Sequence, residues 1–152
     1  MPGYLVLAAA VVGADQLVKW LVRGHIALGE HVSLLPGLMD LTYVQNTGAA
    51  FSMFSAHTWL LTVLSAALSV AFAVVLVRRM LPHWTGMLAM ALLLGGAVGN
   101  LIDRAVLGFV TDMFATTFIQ FAVFNVADIG VVLGGVLLCI DVLFFSGKER
   151  KA

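Results

Sequence analysis

The chain reads as an all-α membrane protein: four transmembrane helices, a small extracytoplasmic β-sheet platform, and a loop or helix lying over one end of the bundle. Three observations predict it. Hydrophobic residues make up 62% of the 152 residues and charged ones only 11%. A mean hydropathy of +1.07 leaves too little polar material for a water-exposed surface. The apolar runs are long and do not alternate with period two, which suits helices rather than barrel strands; only these two structures satisfy the whole backbone in lipid. This length supports one domain, residues 1–152. A formal net charge of zero excludes the basic face that nucleic-acid binding requires.

The first span is expected over residues 4–22. Residues 1–14 have the apolar core of a secretion signal, and Val12-Gly13-Ala14 has the small residues of a cleavage site. A basic n-region is missing, so the segment is expected to stay as the first membrane helix. Asp15 and Lys19 stand at i, i+4 on it, where an ion pair eases the burial of both; we read them as structural support. The first outer connection, residues 24–57, holds two short strands around a Pro36-Gly37 turn. Its last part, Asn46-Thr47-Gly48-Ala49-Ala50-Phe51-Ser52, suits a tight loop re-entering the interface with the Asn46 amide turned inward.

The other spans are expected over residues 59–77, 84–102 and 126–145, each near the ~20 residues a crossing requires. Arg78 and Arg79 end the second, and Lys148, Glu149, Arg150 and Lys151 follow the fourth. The positive-inside rule makes those ends cytoplasmic, the N-terminus with them, and places both long connections outside. Arg23 and Arg104 fall on the outer side and call for another explanation. Gly95/Gly99 and Gly130/Gly134 have the spacing that lets membrane helices approach closely, here spans three and four. The second outer connection, residues 103–125, is rich in β-branched and aromatic residues.

A helical rise of ~1.5 Å per residue gives depths. Asp103 surfaces at the outer interface, Asp128 lies just inside the fourth span, and Asp15 sits in the outer half of the first. Polar groups from three helices and two loops thus converge at one level of a chain in which each is expensive to keep, which signals function. Asp112 and Asp128 carry the sharpest signal. Taken singly, Asp128 is a helix-start carboxylate favoured by the macrodipole and Asp112 a solvated loop acid. Taken together, two adjoining carboxylates cannot both ionise cheaply, so one holds a proton while the other stays anionic. Asn125 precedes Asp128 by one turn and can orient the same site. Arg104 either pairs with Asp103, snorkels to headgroups, or joins Asn46 in holding an extended backbone or headgroup.

Other chemistries find no support. His25, His31, His57 and His83 lack any zinc-ligand spacing, and no G-x-S-x-G elbow exists. Neither a metal nor an organic cofactor is expected. Cys139 reads as buried, inert packing, and Asp141 as an interfacial charge near the cytoplasmic surface.

Five blocks in order carry a resemblance over nearly the whole chain: Asp15-Gln16-Leu17-Val18-Lys19, Asn46-Thr47-Gly48-Ala49-Ala50-Phe51, the run from Gly95 to Arg104, Val110-Thr111-Asp112, and Phe124-Asn125-Val126-Ala127-Asp128. The chain resembles lipoprotein signal peptidase, also called signal peptidase II. The resemblance implies that Asp112 and Asp128 are a catalytic dyad, with Asn46, Asn100, Asp103, Arg104 and Asn125 lining or bracing the substrate site. It further implies an aspartic endopeptidase of the bacterial inner membrane acting on diacylglyceryl-modified prolipoproteins, among membrane lipids, for which a monomer suffices. Met113 stands where the family more often has an aromatic or other apolar residue, and residues 115–123 match no motif. The competing readings are a small proton- or cation-coupled carrier, which also uses intramembrane carboxylates, and a non-catalytic scaffold. Carboxylates gathered at one face, without a visible repeat, count against both.

Overall fold

The computed structural model describes residues 2–48 and 58–145. In chain order the elements are α1 (Pro2–His25), β1 (His31–Leu35), β2 (Met39–Asn46), α2 (Thr58–Val77), α3 (Trp84–Leu107), β3 (Val110–Thr116) and α4 (Val126–Phe144). All four helices are long and apolar enough to cross a membrane. Residues 49–57, which include the rest of the expected re-entrant loop and His57, lie outside the described residues, as does the basic tail.

Each expected span is a helix, but α1 and α3 run farther than hydropathy alone indicates. The polar ends of both find partners in one another, Lys19 and Arg23 of α1 lying against Asp103 of α3. Asp103 is consequently not at the surface. It is 1% exposed, roofed by Gln16, Lys19 and Arg23 of α1 and by the start of β3.

α3 is the central helix and packs against the other three. Glycines permit this, though not all where the spacing alone suggested. A side chain at Gly95 would meet Ala8 and Val11 of α1. One at Gly99 would lie 2.7 Å from Asp15 Oδ2. The close approach to α4 falls to Gly96, against Ala127 and Val131, and to Gly134, against Ala89 and Leu93. Gly95 therefore seats α1, while the α3–α4 contact uses Gly99, Gly130 and Gly134 as expected and adds Gly96, a glycine outside the x-x-x spacing.

Two other expectations are corrected at the end of the bundle where α3 begins and α4 finishes. Asp141 is fully buried, accepts a hydrogen bond from Thr85 Oγ1, and faces Gly86 at the start of α3. Glycine there leaves room for the carboxylate, so the residue turns into the bundle instead of toward headgroups. Cys139, two residues earlier and so on another face of α4, is exposed on the outside of the bundle.

The strands form one antiparallel sheet ordered β1-β2-β3. The turn between β1 and β2 places Gly37 at φ 74°, a left-handed conformation that glycine adopts without steric strain. β2 pairs with β3 so that Val44 faces Asp112 and Asn46 faces Val110, with an irregularity between Leu41 and Val44. Residues 117–125 contain no helix, and Phe124 returns to bridge Phe114. The element over the site is thus a loop.

Candidate active site

The site is assembled where β3, the C-terminal ends of α1 and α3, and the start of α4 meet. On β2, Asn46 is the diagonal neighbour of Asp112 across the ladder, a placement within reach of a side-chain contact. Its Nδ2 donates to Asp112 Oδ2 at 2.9 Å. Its Oδ1 accepts from Gly48 N at 2.9 Å, which turns the chain tightly after the strand.

Asn125 is the N-cap of α4 and Asp128 its third residue, and together they make a capping box. The Asn125 side chain accepts from Asp128 N at 2.9 Å, and Asp128 Oδ2 accepts from Asn125 N at 3.1 Å. With Oδ1 used as the cap, Asn125 Nδ2 is free to point into the site. It donates to Asp112 Oδ1 at 2.7 Å and to Asn100 Oδ1 at 3.1 Å. Asn100 Nδ2 in turn donates to Asp128 Oδ1 at 2.8 Å. All four carboxylate oxygens of the pair are therefore held by amides: three by asparagine side chains and one by a backbone N–H.

Both carboxylates line one cavity of about 500 Å³, together with Asn46, Asn100, Arg104 and Val110 on the polar side. The remaining wall is apolar and comes from residues 121–124 and the first two turns of α4. Asp112 is 2% exposed. Burial pushes its carboxyl up to about 6, hydrogen bonds from Asn46 and Asn125 and the Lys19 charge oppose this, and the neighbouring Asp128 charge adds to it. Asp128 sits at a helix N-terminus, where the macrodipole favours negative charge. A strand acid whose proton affinity is raised thus faces a helix-start acid across a shared cavity. Such a pair can deliver a proton and remove one from the same bound molecule.

Arg104 reaches the rim from α3. It donates to Ser65 Oγ of α2 and to Gly48 O, both at 3.3 Å, and makes no ion pair with Asp103. Its Nε is buried with no hydrogen-bond partner among the described residues. Asp103 and Asn125 brace the site without lining the cavity. Asp15 and Lys19 pair at 2.8 Å with neither side chain exposed, and Asp15 Oδ1 also accepts from Ala127 N at 2.9 Å. Their contribution includes docking the start of α4.

Three partners went unassigned in the sequence reading. Gln16 donates to Gly99 O and Asp103 Oδ1. Arg23 donates to Thr111 Oγ1 at 3.0 Å and lies 3.8 Å from Asp103, so its partners are within the protein. Thr111 N donates to Asp103 Oδ2 at 2.8 Å. The spacing of Asp15, Lys19 and Arg23, four residues apart twice over, was the available signal: it sets all three on one helix face.

The model of a known family, described as signal peptidase (SPase) II, matches residues 7–144 of this sequence. The chain belongs to the signal peptidase II family. A lipoprotein signal peptidase of Clostridioides difficile (strain 630) is 39% identical over 147 residues, covering 97% of this chain and 99% of that one. Another from Lactococcus lactis subsp. lactis (strain IL1403) is 40% identical over 153 residues, covering 99% of this chain and 100% of that one. Among solved structures, a bacterial membrane enzyme determined in meso at 2.3 Å superposes with a TM-score of 0.88 at 26% identity, covering 94% of this chain and 88% of its own. A second, at 1.9 Å, gives 0.86 at 26% identity and 96% coverage of both chains. Membership makes this chain a membrane-embedded protease with four spanning helices and a three-stranded sheet.

Proposed function

We propose that the protein is an aspartic endopeptidase that removes the signal peptide from diacylglyceryl-modified bacterial prolipoproteins, cutting just before the lipidated cysteine. One observation carries the reading: two carboxylates from separate segments line a single cavity, every oxygen oriented by an amide. Asp112, the buried strand acid, donates its proton to the scissile carbonyl oxygen. Asp128, favoured as an anion by its helix start, deprotonates a water that attacks the carbonyl carbon. As the tetrahedral intermediate collapses, one of its hydroxyls returns a proton to Asp112 and re-forms C=O, the C–N bond breaks, and the amine of the lipidated cysteine leaves with a proton from Asp128. The pair titrates as a unit, so its apparent values belong to both residues.

Asn46 and Arg104 hold the substrate backbone or headgroup, and the buried Nε of Arg104 leaves one donor uncommitted for it. Asn100, Asp103 and Asn125 keep the acids in place, and Asp15 and Lys19 support them from α1. The apolar wall formed by residues 121–124 and α4 lets acyl chains remain in lipid while the peptide bond meets water. The positive-inside pattern supports both termini in the cytoplasm of an inner-membrane protein with the site at the outer face. A monomer suffices.

The test is a gel-shift assay with purified protein and a diacylated prolipoprotein. Asp112→Asn and Asp128→Asn should each abolish cleavage while the variants insert and fold like the parent. Robust processing by either one would refute the assignment.

A further inference from the structure

Lys19 is one of the largest fully buried side chains among the described residues, yet it does not line the cavity that holds the two acids. Its ammonium has three protons and three partners: Asp15 Oδ2 at 2.8 Å, Asp103 Oδ2 at 3.4 Å and Asn100 Oδ1 at 2.9 Å. The two carboxylates account for its burial. The third contact is not needed for charge balance, because Asp103 is also served by Arg23, Gln16 and the Thr111 N–H.

That contact decides which way an amide points. Asn100 has one carbonyl oxygen and one NH₂ group. The oxygen receives Lys19 Nζ and Asn125 Nδ2, so the NH₂ must face Asp128 Oδ1. Turned over, the amide would set its oxygen against the Asp128 carboxylate and its protons against an ammonium. The cation therefore makes one orientation far cheaper than the other, since hydrogen bonds to charged groups are the strong ones. The same charge also bears directly on Asp112, where it favours the ionised form.

We propose that Lys19 is a positioning residue for the reaction, acting through Asn100 and through its field to fix how the proton is divided between Asp112 and Asp128. This rests on the proposed two-aspartate reading and assigns it a regulator outside the cavity. The charged groups facing this centre are Asp15, Lys19 and Arg23 from α1, Asp103 and Arg104 from α3, Asp112 from β3 and Asp128 from α4. Arg104 also bears on both acids through space; Lys19 differs in that it holds the amide that serves Asp128 while its charge acts on Asp112.

The decisive variant is the double substitution Asp15→Asn with Lys19→Met. Lys19→Met alone strands two buried carboxylates and is expected to misfold. The double variant keeps the net charge of the cluster, preserves an acceptor for the Ala127 N–H, and removes the Asp15–Lys19 ion pair together with the cation at Asn100. With a diacylated prolipoprotein in detergent micelles, kcat should fall about tenfold while KM stays within about twofold, as for an interaction worth about one unit of proton affinity. The alkaline limb of the kcat/KM profile should move up by about one pH unit, because Asp112 loses an opposing positive charge. A double variant that fails to fold, or one that folds and cleaves with the parent's kcat and pH profile, would show Lys19 to be purely structural. Activity in Asp112→Asn would instead overturn the two-aspartate reading itself, so the two failures are distinguishable.

Discussion

Replacing Asn125 with alanine removes three interactions at one stroke, and their sizes can be set out separately. The first is the N-cap of α4, in which the side chain accepts from Asp128 N at 2.9 Å; its loss costs about 1 kcal/mol. The second is the 2.7 Å donation to Asp112, whose loss leaves an acceptor unpaired in a residue 2% exposed and costs about 1.5–3 kcal/mol. The third, to Asn100 at 3.1 Å, is shared with Lys19 and adds about 0.5 kcal/mol. The total is about 3–4.5 kcal/mol, or roughly 10 °C in midpoint for a chain of this length. Thermal unfolding in detergent micelles measures it. Asn125→Ser separates the parts, because serine keeps the cap but cannot span to both Asp112 and Asn100. Its stability loss should shrink by the cap's share while its loss of cleavage remains that of alanine. If both variants lost under about 1 kcal/mol and cleaved normally, the bracing scheme would be wrong.

Two further outcomes follow from the geometry. Between about pH 4 and pH 6 the unfolded chain has released the Asp112 proton while the folded one keeps it, so Asp112 makes stability fall as pH rises through that window; the difference between parent and Asp112→Asn should change by about 3 kcal/mol across it, and a flat difference would contradict the assigned burial effect. Gly96→Ala drives a methyl into the Ala127 carbonyl and Val131, so α4 must shift at the turn that carries Asp128. It should cost about 1–3 kcal/mol and depress cleavage, while Gly135→Ala, which meets nothing within 4 Å, should be silent on both.

Much of this was legible in the sequence because hydropathy reports what lipid demands. The four spans, the hairpin at Pro36-Gly37 and the clustering of Asp112, Asp128, Asn46, Asn100 and Asn125 are all consequences of which segments can and cannot sit in hydrocarbon. Where polar residues satisfy one another, the same reasoning fails. Asp103 and Asp141 were placed at interfaces because a lone carboxylate belongs there, but each has partners from another helix that make burial tolerable. Gly96 was missed because a glycine's role depends on which neighbour crosses it, and spacing does not contain the crossing geometry. The loop over the site was visible only as a stretch without a motif. Its place is fixed by Phe124 returning to Phe114, a pairing between residues ten apart that local propensity does not signal.

The central claim, that the proton of the acid pair is held at Asp112, is open to direct observation by infrared spectroscopy. The carboxylic C=O stretch of the purified protein should contain one component that disappears as pH is raised through about 6 and is missing from Asp112→Asn. A spectrum in which that component persists unchanged in Asp112→Asn, or in which no carboxyl group titrates near pH 6, would contradict it.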